Sequence, residues 1–218
     1  MRVNAYAAPA AGEPLAPTTI ERREVGANDV LIEIAFAGIC HSDIHTVQGD
    51  WGPQQYPLAP GHEIVGTVAE IGSDVTRHAV GDLVGVGCMV NSCGECASCT
   101  GGDEQFCVKG MVGTYGATDR DGTVTQGGYS THVVVDAGFV LSVPDGIDPA
   151  AAVRRHHDVL APAPLGRRPG QEDRGRRPRR PRAHGGQDRP RARRRGHGAL
   201  AVAEEAGGRS APRRRQLL

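Results

Sequence analysis

Four cysteines lie within one short stretch of the chain, in the order C-x2-C-x2-C-x7-C. They are Cys93, Cys96, Cys99 and Cys107. Four thiolates at this spacing can surround a zinc ion at about 2.3 Å each, and the glycines in the stretch allow the tight turns that such a loop needs. We therefore predict a lobe that is held together by structural zinc over residues 88–110.

The alternative is a pair of disulfides between the same cysteines. Disulfides require an oxidising compartment and are typical of secreted chains with a signal peptide. The first residues, Met1 to Tyr6, contain no apolar signal segment, and no stretch approaches the roughly 18 apolar residues of a membrane span. The sequence therefore favours reduced cysteines, a cytoplasmic location and no association with a membrane.

The net charge of zero hides two segments of opposite charge. Residues 1–152 contain 6 Lys and Arg against 19 Asp and Glu, a net charge of −13, whereas residues 153–218 contain 19 Arg against 6 Asp and Glu, a net charge of +13. So abrupt a change in composition predicts a boundary near residue 152.

The acidic segment has the pattern of a mostly β domain. Apolar and polar residues alternate over Val30–Phe36, Ile64–Ile71 and Tyr129–Val135, and Gly, Asp and Pro turns separate these runs. In the basic segment, only 8 of 66 residues are Val or Leu, and Ile, Met, Cys and aromatic residues are absent. We predict that residues 1–152 fold and that the Arg/Pro/Gly-rich tail, residues 153–218, is disordered.

A second pair of metal-binding residue types flanks the predicted strands. Cys40 lies in G-I-C-H-S-D and His62 in P-G-H-E-I-V-G, and the carboxylates of Asp43 and Glu63 lie next to them. Taken singly, each is better explained as a buried thiol or a core histidine. Together they match a catalytic zinc site, in which a cysteine and a histidine bind the metal and a carboxylate orients the imidazole.

These motifs, together with G-D-x-V-G-V-G at 81–87 and the four-cysteine lobe, resemble the zinc-dependent medium-chain alcohol dehydrogenases. The cinnamyl-alcohol-dehydrogenase-like branch, which uses NADP, is the most similar. The resemblance covers residues 1–152 and implies a mostly β, GroES-like catalytic domain. It implies that Cys40 and His62 bind catalytic zinc, that Glu63 is an alternate ligand and that Asp43 hydrogen-bonds the histidine.

The resemblance also implies a reaction, the reversible transfer of hydride between a small alcohol or aldehyde and NADP. Ser42 would take the proton of the alcohol and pass it to His45, and His41 would lie near the cofactor pyrophosphate. Trp51 is either a wall of the substrate pocket or plain core packing, and Cys88 is expected to be a buried structural thiol. The intact family member would be a homodimer.

The second segment lacks what this family places there. No cysteine follows Cys107 to act as a third zinc ligand, and no G-x-G-x-x-G turn follows a predicted strand. A shift of one nucleotide from the codon of Val153 permits both a cysteine at that position and a G-L-G-G-L-G turn after an apolar strand. We therefore predict that a frameshift near 150–153 has replaced the cofactor domain and left the chain inactive.

Two other functions are compatible with parts of the sequence. The basic tail could be a nucleic-acid-binding arm on a zinc-stabilised β module, although its prolines, its acidic residues and its lack of aromatics disfavour this. The chain could also be related to the zinc-free quinone reductases of the same fold. Such a protein would have no use for the four-cysteine lobe or for Cys40 with His62.

Overall fold

The computed structural model describes residues 1–154 and 200–201, and this part of the chain is mostly β. Its strands are β1 (Arg2–Ala7), β2 (Ala16–Glu21), β3 (Asp29–Ala37), β4 (Ile64–Ile71), β5 (Leu83–Val86), β6 (Met89–Asn91), β7 (Val112–Gly113), β8 (His132–Asp136), β9 (Val140–Ser142) and β10 (Leu200–Ala201). Its helices are α1 (His41–Gln48), α2 (Ala97–Gly101), α3 (Pro149–Arg154) and two 3-10 turns, Glu104–Phe106 and Ala137–Phe139.

A curled antiparallel sheet built on β3 forms the centre of the fold. Strand β4 pairs with β3 along one edge and β8 pairs with the first half of the other edge, while β5 and β9 extend the sheet beyond β4. The three predicted strands correspond to β3, β4 and β8. The prediction of a mostly β fold is thus confirmed.

The hydrophobic core lies against this sheet because one face of each strand carries β-branched side chains. Valine and isoleucine dominate the buried positions, as expected for side chains that pack on a pleated sheet. The fully buried members include Val30, Ile32, Ile64, Val84, Val86 and Val140. A smaller cluster sits under the separate β1–β2 ribbon.

Helix α3 closes the folded segment and crosses the predicted boundary at residue 152. The side chain of Val153 is only 1 % exposed and packs with Val65, Val143 and Ala152. The packed domain therefore continues through Val153, one residue further than the composition suggested. Beyond Arg154, the predicted disordered tail lies outside the described residues, apart from β10, which pairs with the end of β3.

The helices in the described part of the chain are short. None of them is long and apolar enough to cross a bilayer.

Two side chains of the described residues have buried polar atoms without a hydrogen-bond partner, Gln54 at Oε1 and His78 at both ring nitrogens. His78, between β4 and β5, is 6 % exposed, and neither ring nitrogen has a partner among the described residues. An unsatisfied buried group costs roughly 1–3 kcal/mol.

We expect His78→Phe to raise the melting temperature by roughly 2–4 °C, because it removes the unsatisfied nitrogens and keeps an aromatic ring. Thermal unfolding of the full chain measures this. His132→Phe is the control, since the imidazole of His132 contacts Thr131 Oγ1 at 3.0 Å. An unchanged or lower melting temperature for His78→Phe would contradict the expectation.

Candidate metal centres

The four cysteines of the lobe converge on one point. The β6–β7 ribbon forms the base of the lobe, and Cys93, Cys96, Cys99 and Cys107 lie between its two strands, around α2 and the 3-10 turn Glu104–Phe106. All four sulfurs lie within 4.8 Å of one another. The predicted lobe over residues 88–110 corresponds to this segment.

The distances between the sulfurs suit a metal and not disulfides. The Cys96 and Cys99 sulfurs are 3.4 Å apart and the Cys93 and Cys99 sulfurs are 3.8 Å apart, whereas a disulfide bond measures about 2.05 Å. Tetrahedral zinc with bonds of about 2.3 Å places its sulfurs roughly 3.8 Å apart. The cysteine cluster fits a structural zinc site, and all six cysteines are free thiols.

Cys40 lies where β3 ends and α1 begins. It is the N-cap residue of α1, and Asp43 in the first turn accepts a hydrogen bond from the Cys40 backbone N–H at 2.9 Å. Such a bond satisfies one of the free N–H groups at a helix start. The G-I-C-H-S-D motif thus holds a carboxylate against the residue that carries a candidate zinc-binding thiol.

His62 and Glu63 approach Cys40 from the start of β4. One donor atom from each of Cys40, His62 and Glu63 lies within 4.8 Å of the others. The close packing depends on Gly38, where a β-carbon would lie 2.3 Å from Glu63 Oε2. Thiolate, imidazole and carboxylate are the donors that zinc accepts, so these three side chains fit a zinc ion.

The carboxylate of Asp43 lies behind His62 and is 4 % exposed. Its Oδ1 is 3.4 Å from His62 Nδ1. Burial alone would raise the pKa of Asp43, but contacts with His62, Tyr115 and the Cys40 N–H outweigh it and lower the pKa. Burial would likewise lower the pKa of His62, but Asp43 and Cys40 raise it. Asp43 is therefore placed to orient the imidazole as an ionised acceptor.

Two tyrosines that the sequence did not single out complete the environment of Asp43. Tyr115 Oη donates to Oδ1 at 2.6 Å and Tyr129 Oη donates to Oδ2 at 3.2 Å. Burial and the neighbouring carboxylate raise the pKa of both phenols, so both stay protonated and act as donors. Both tyrosines lie in irregular segments outside the strands, where no periodic pattern would identify them beforehand.

Arg22 was also missed, and it supports the loop that carries Tyr129. Its guanidinium donates to the carbonyls of Gln126, Gly127 and His132 and to Ser130 Oγ. Burial lowers the pKa of Arg22 to about 10. The side chain thus satisfies several carbonyls of one irregular segment.

The remaining candidate residues lie along α1. The Cys40 thiol is 3.5 Å from Ser42 Oγ. The His45 ring stacks on the exposed ring of His41 at 5.0 Å, and its Nδ1 is 2.8 Å from Asp50 Oδ2. The structure thus brings Ser42 beside the candidate zinc ligand Cys40, while His45 faces a carboxylate near solvent.

Trp51 and Cys88 differ from what was expected of them. Trp51 is 63 % exposed and stacks on His45, so the alternative of core packing is wrong. Cys88 is exposed, and it lies close enough to Cys40 and Glu63 to interact with them electrostatically. The expectation of a buried structural thiol is also wrong, because Cys88 lies in the exposed connection between β5 and β6.

The sequence profile of the alcohol dehydrogenase GroES-like domain matches residues 26–145, more than half of the chain. The matched segment contains Cys40, His62, Glu63 and all four cysteines of the lobe. The chain belongs to this family.

Curated relatives match the N-terminal part of this chain over a similar range. NADP-dependent alcohol dehydrogenase C 1 of Mycolicibacterium smegmatis is 60% identical over 151 residues, which is 69% of this chain and 43% of that protein. Cinnamyl alcohol dehydrogenase 8 of Arabidopsis thaliana is 51% identical over 138 residues, 63% of this chain and 38% of that protein. The chain therefore spans less than half the length of these relatives.

Solved structures of alcohol dehydrogenases also match this chain over most of its length. CAD from Helicobacter pylori, complexed with NADP(H), matches with 41% identity and a TM-score of 0.68, over 71% of this chain and 45% of that one. Cinnamyl alcohol dehydrogenase 4 from Sorghum bicolor matches with 39% identity and a TM-score of 0.69, over 71% of this chain and 44% of that one. The expected family and fold are confirmed.

Proposed function

We propose that residues 1–152 are the catalytic domain of a zinc-dependent, NADP-linked alcohol dehydrogenase that acts on small alcohols or aldehydes. The observation that carries this proposal is the convergence of Cys40, His62 and Glu63, within 4.8 Å, beside the buried carboxylate of Asp43. Relatives named as alcohol dehydrogenases support it. The proposal includes a cytoplasmic location, because a four-thiolate site needs reduced cysteines.

Zinc bound by these three side chains would supply Lewis acidity that lowers the pKa of an alcohol hydroxyl. Ser42 Oγ, 3.5 Å from the Cys40 thiol, would accept the proton of the alcohol while it releases its own hydroxyl proton towards His45. His45 is partly exposed and paired with Asp50, so it can exchange a proton with solvent. We therefore propose Ser42 and His45 as the proton path, with Asp43 holding His62.

The described residues contain no dinucleotide-binding unit. A Rossmann unit needs parallel strands joined by a helix, whereas every strand pair in the described part of the chain is antiparallel. His41, exposed at the start of α1, is the cofactor contact that we propose within this domain. The remaining contacts with NADP, and a homodimer, would belong to the chain read in the other frame.

The environment of Val153 supports a frameshift at this position. A β-carbon at Gly38 would lie 2.7 Å from Val153 Cγ1 and 2.3 Å from Glu63 Oε2, so Val153 is a close neighbour of the zinc-binding carboxylate. The shifted reading frame permits a cysteine at Val153. We propose that this cysteine is the third ligand that the family requires and that the chain, as it stands, is inactive.

The metal content of the full 218-residue chain tests the proposal. At saturating zinc we expect about two zinc ions per chain, one held tightly by the four cysteines of the lobe and one held more weakly by Cys40, His62 and Glu63, which lack the third cysteine. Cys40→Ser should lower the content to about one, because it removes a thiolate from the Cys40–His62–Glu63 set. Neither protein should oxidise benzyl alcohol with NADP.

Cys88→Ser is the matched control, since it removes a thiol that belongs to neither set and should keep both zinc ions. If the unaltered chain binds a single zinc, or if Cys40→Ser loses none, the proposed catalytic centre is wrong. If the unaltered chain oxidises the alcohol faster than Cys40→Ser does, the proposed inactivity is wrong.

A further inference from the structure

We propose that Tyr115 is a positioning residue for the metal ligand His62, because it holds both the imidazole and the carboxylate that orients it. This inference rests on the proposed zinc centre. It concerns a residue outside the motifs G-I-C-H-S-D and P-G-H-E-I-V-G, in the segment that leaves the four-cysteine lobe.

Tyr115 contacts the pair of His62 and Asp43 in two ways. Its ring stacks on the imidazole of His62, with centroids 5.7 Å apart and an angle of 21° between the planes. Its hydroxyl donates to Asp43 Oδ1 at 2.6 Å, and the same oxygen is 3.4 Å from His62 Nδ1. The three side chains thus form a closed group in which Tyr115 restrains the other two.

The hydroxyl of Tyr115 is the closest donor to Oδ1. The Gly61 N–H contacts this oxygen at 3.2 Å, whereas Oδ2 accepts from the Cys40 N–H at 2.9 Å and from Tyr129 at 3.2 Å. Without the Tyr115 hydroxyl, Oδ1 would keep only its longer contacts. The carboxylate could then turn about its bond to Cβ, and the imidazole would lose a fixed partner.

The position of Tyr115 also links the two candidate metal centres. It follows β7, which pairs with β6 at the base of the cysteine lobe, and the neighbouring Thr114 N–H donates to the Cys88 carbonyl at 3.1 Å. On the other side, the Gly116 N–H donates to the Thr125 carbonyl at 2.9 Å. The contacts on both sides of Tyr115 therefore hold its ring against His62 for as long as the lobe stays folded.

Tyr115→Phe tests the proposal in the full chain, because phenylalanine keeps the stacked ring and removes only the hydroxyl. The zinc dissociation constant is measured by competition with a chromophoric chelator. We expect zinc at Cys40–His62–Glu63 to bind about tenfold more weakly, as is typical when a partner of a metal-binding residue is lost. Zinc in the cysteine lobe should be unchanged and serves as an internal control.

Tyr56→Phe is the matched control, since the Tyr56 hydroxyl donates to the Val47 carbonyl at 2.8 Å and does not contact Asp43. It should lower the melting temperature and leave both zinc affinities unchanged. Tyr129→Phe, which removes the longer bond to Oδ2, should weaken zinc binding less than Tyr115→Phe does. A larger effect at Tyr129 than at Tyr115 would overturn the proposal.

Asp43→Asn shows whether Tyr115 acts through the carboxylate. If it does, Tyr115→Phe should change the zinc affinity by less than about twofold in the Asp43→Asn background, because the contacts form one network. Fully additive losses, or an unchanged affinity in the single variant Tyr115→Phe, would overturn the proposal. An unaltered chain that binds zinc only in the lobe would instead overturn the proposed function.

Discussion

Replacing Cys99 with serine is expected to empty the cysteine lobe and to expose it to proteases. Cys99 is buried, and its sulfur lies 3.4 Å from that of Cys96 and 3.8 Å from that of Cys93. The lobe has few apolar contacts of its own, and Phe106 and Val108 are largely exposed. Structural zinc contributes on the order of 10–16 kcal/mol in small zinc modules, and without it the lobe should unfold locally.

Trypsin cleavage measures this unfolding, because Lys109 lies just after the last cysteine of the lobe and Arg120 follows shortly after it. We expect rapid cleavage after Lys109 in Cys99→Ser and a zinc content about one ion lower. Through the link from β7 to Tyr115, zinc should also bind more weakly at Cys40–His62–Glu63.

Cys88→Ser is the matched control for this experiment as well, since it removes a cysteine next to the lobe that belongs to neither metal set. It should resist trypsin as the unaltered chain does. A Cys99→Ser protein that keeps its full zinc content and resists cleavage would show that the lobe does not depend on metal.

The sequence was informative where local chemistry determines structure. The spacing of the four cysteines identified the lobe, because it is typical of a short loop that folds around one zinc ion. The alternation of apolar residues identified β3, β4 and β8, because side chains on a strand alternate between its two faces. The pairing of Cys40 with His62 followed from motifs that flank two of these strands.

The contacts of Asp43 could not be predicted in the same way. Tyr115 and Tyr129 reach this carboxylate from segments 72 and 86 residues further along the chain. Such contacts depend on the tertiary path of loops, which carry no periodic pattern. The exposure of Trp51 and Cys88 was missed for a related reason, since the burial of a single residue depends on which distant segments pack against it.

The domain boundary could be predicted from composition only approximately, at residue 152. The change in charge is sharp, yet Val153 lies on the basic side of the boundary and packs into the domain. The reason is that α3 continues to Arg154, two residues past the boundary, and its apolar residues pack against the sheet regardless of the charges that follow. Because the side chain of Val153 lies close to Gly38 and Glu63, the boundary is adjacent to the proposed metal site.

Restoring the shifted reading frame from Val153 is expected to give an active enzyme, in contrast to the inactivity that we propose for the 218-residue chain. The restored sequence would supply a cysteine beside Glu63 and a glycine-rich turn for the cofactor pyrophosphate. Zinc and the bound nicotinamide would then act on the same alcohol, and typical enzymes of this kind turn over at on the order of 1–10³ per second. The gene should first be resequenced from an independent template across the codons for Gly146 to Gly166.

The measurement that tests this account most directly is the NADP-dependent oxidation of benzyl alcohol by the frame-restored protein, beside the 218-residue chain and a frame-restored Cys40→Ser variant. We predict turnover for the frame-restored protein alone, with zinc still bound in the cysteine lobe of all three. A frame-restored protein that folds and binds both zinc ions, yet oxidises no alcohol faster than its Cys40→Ser variant, would contradict the account.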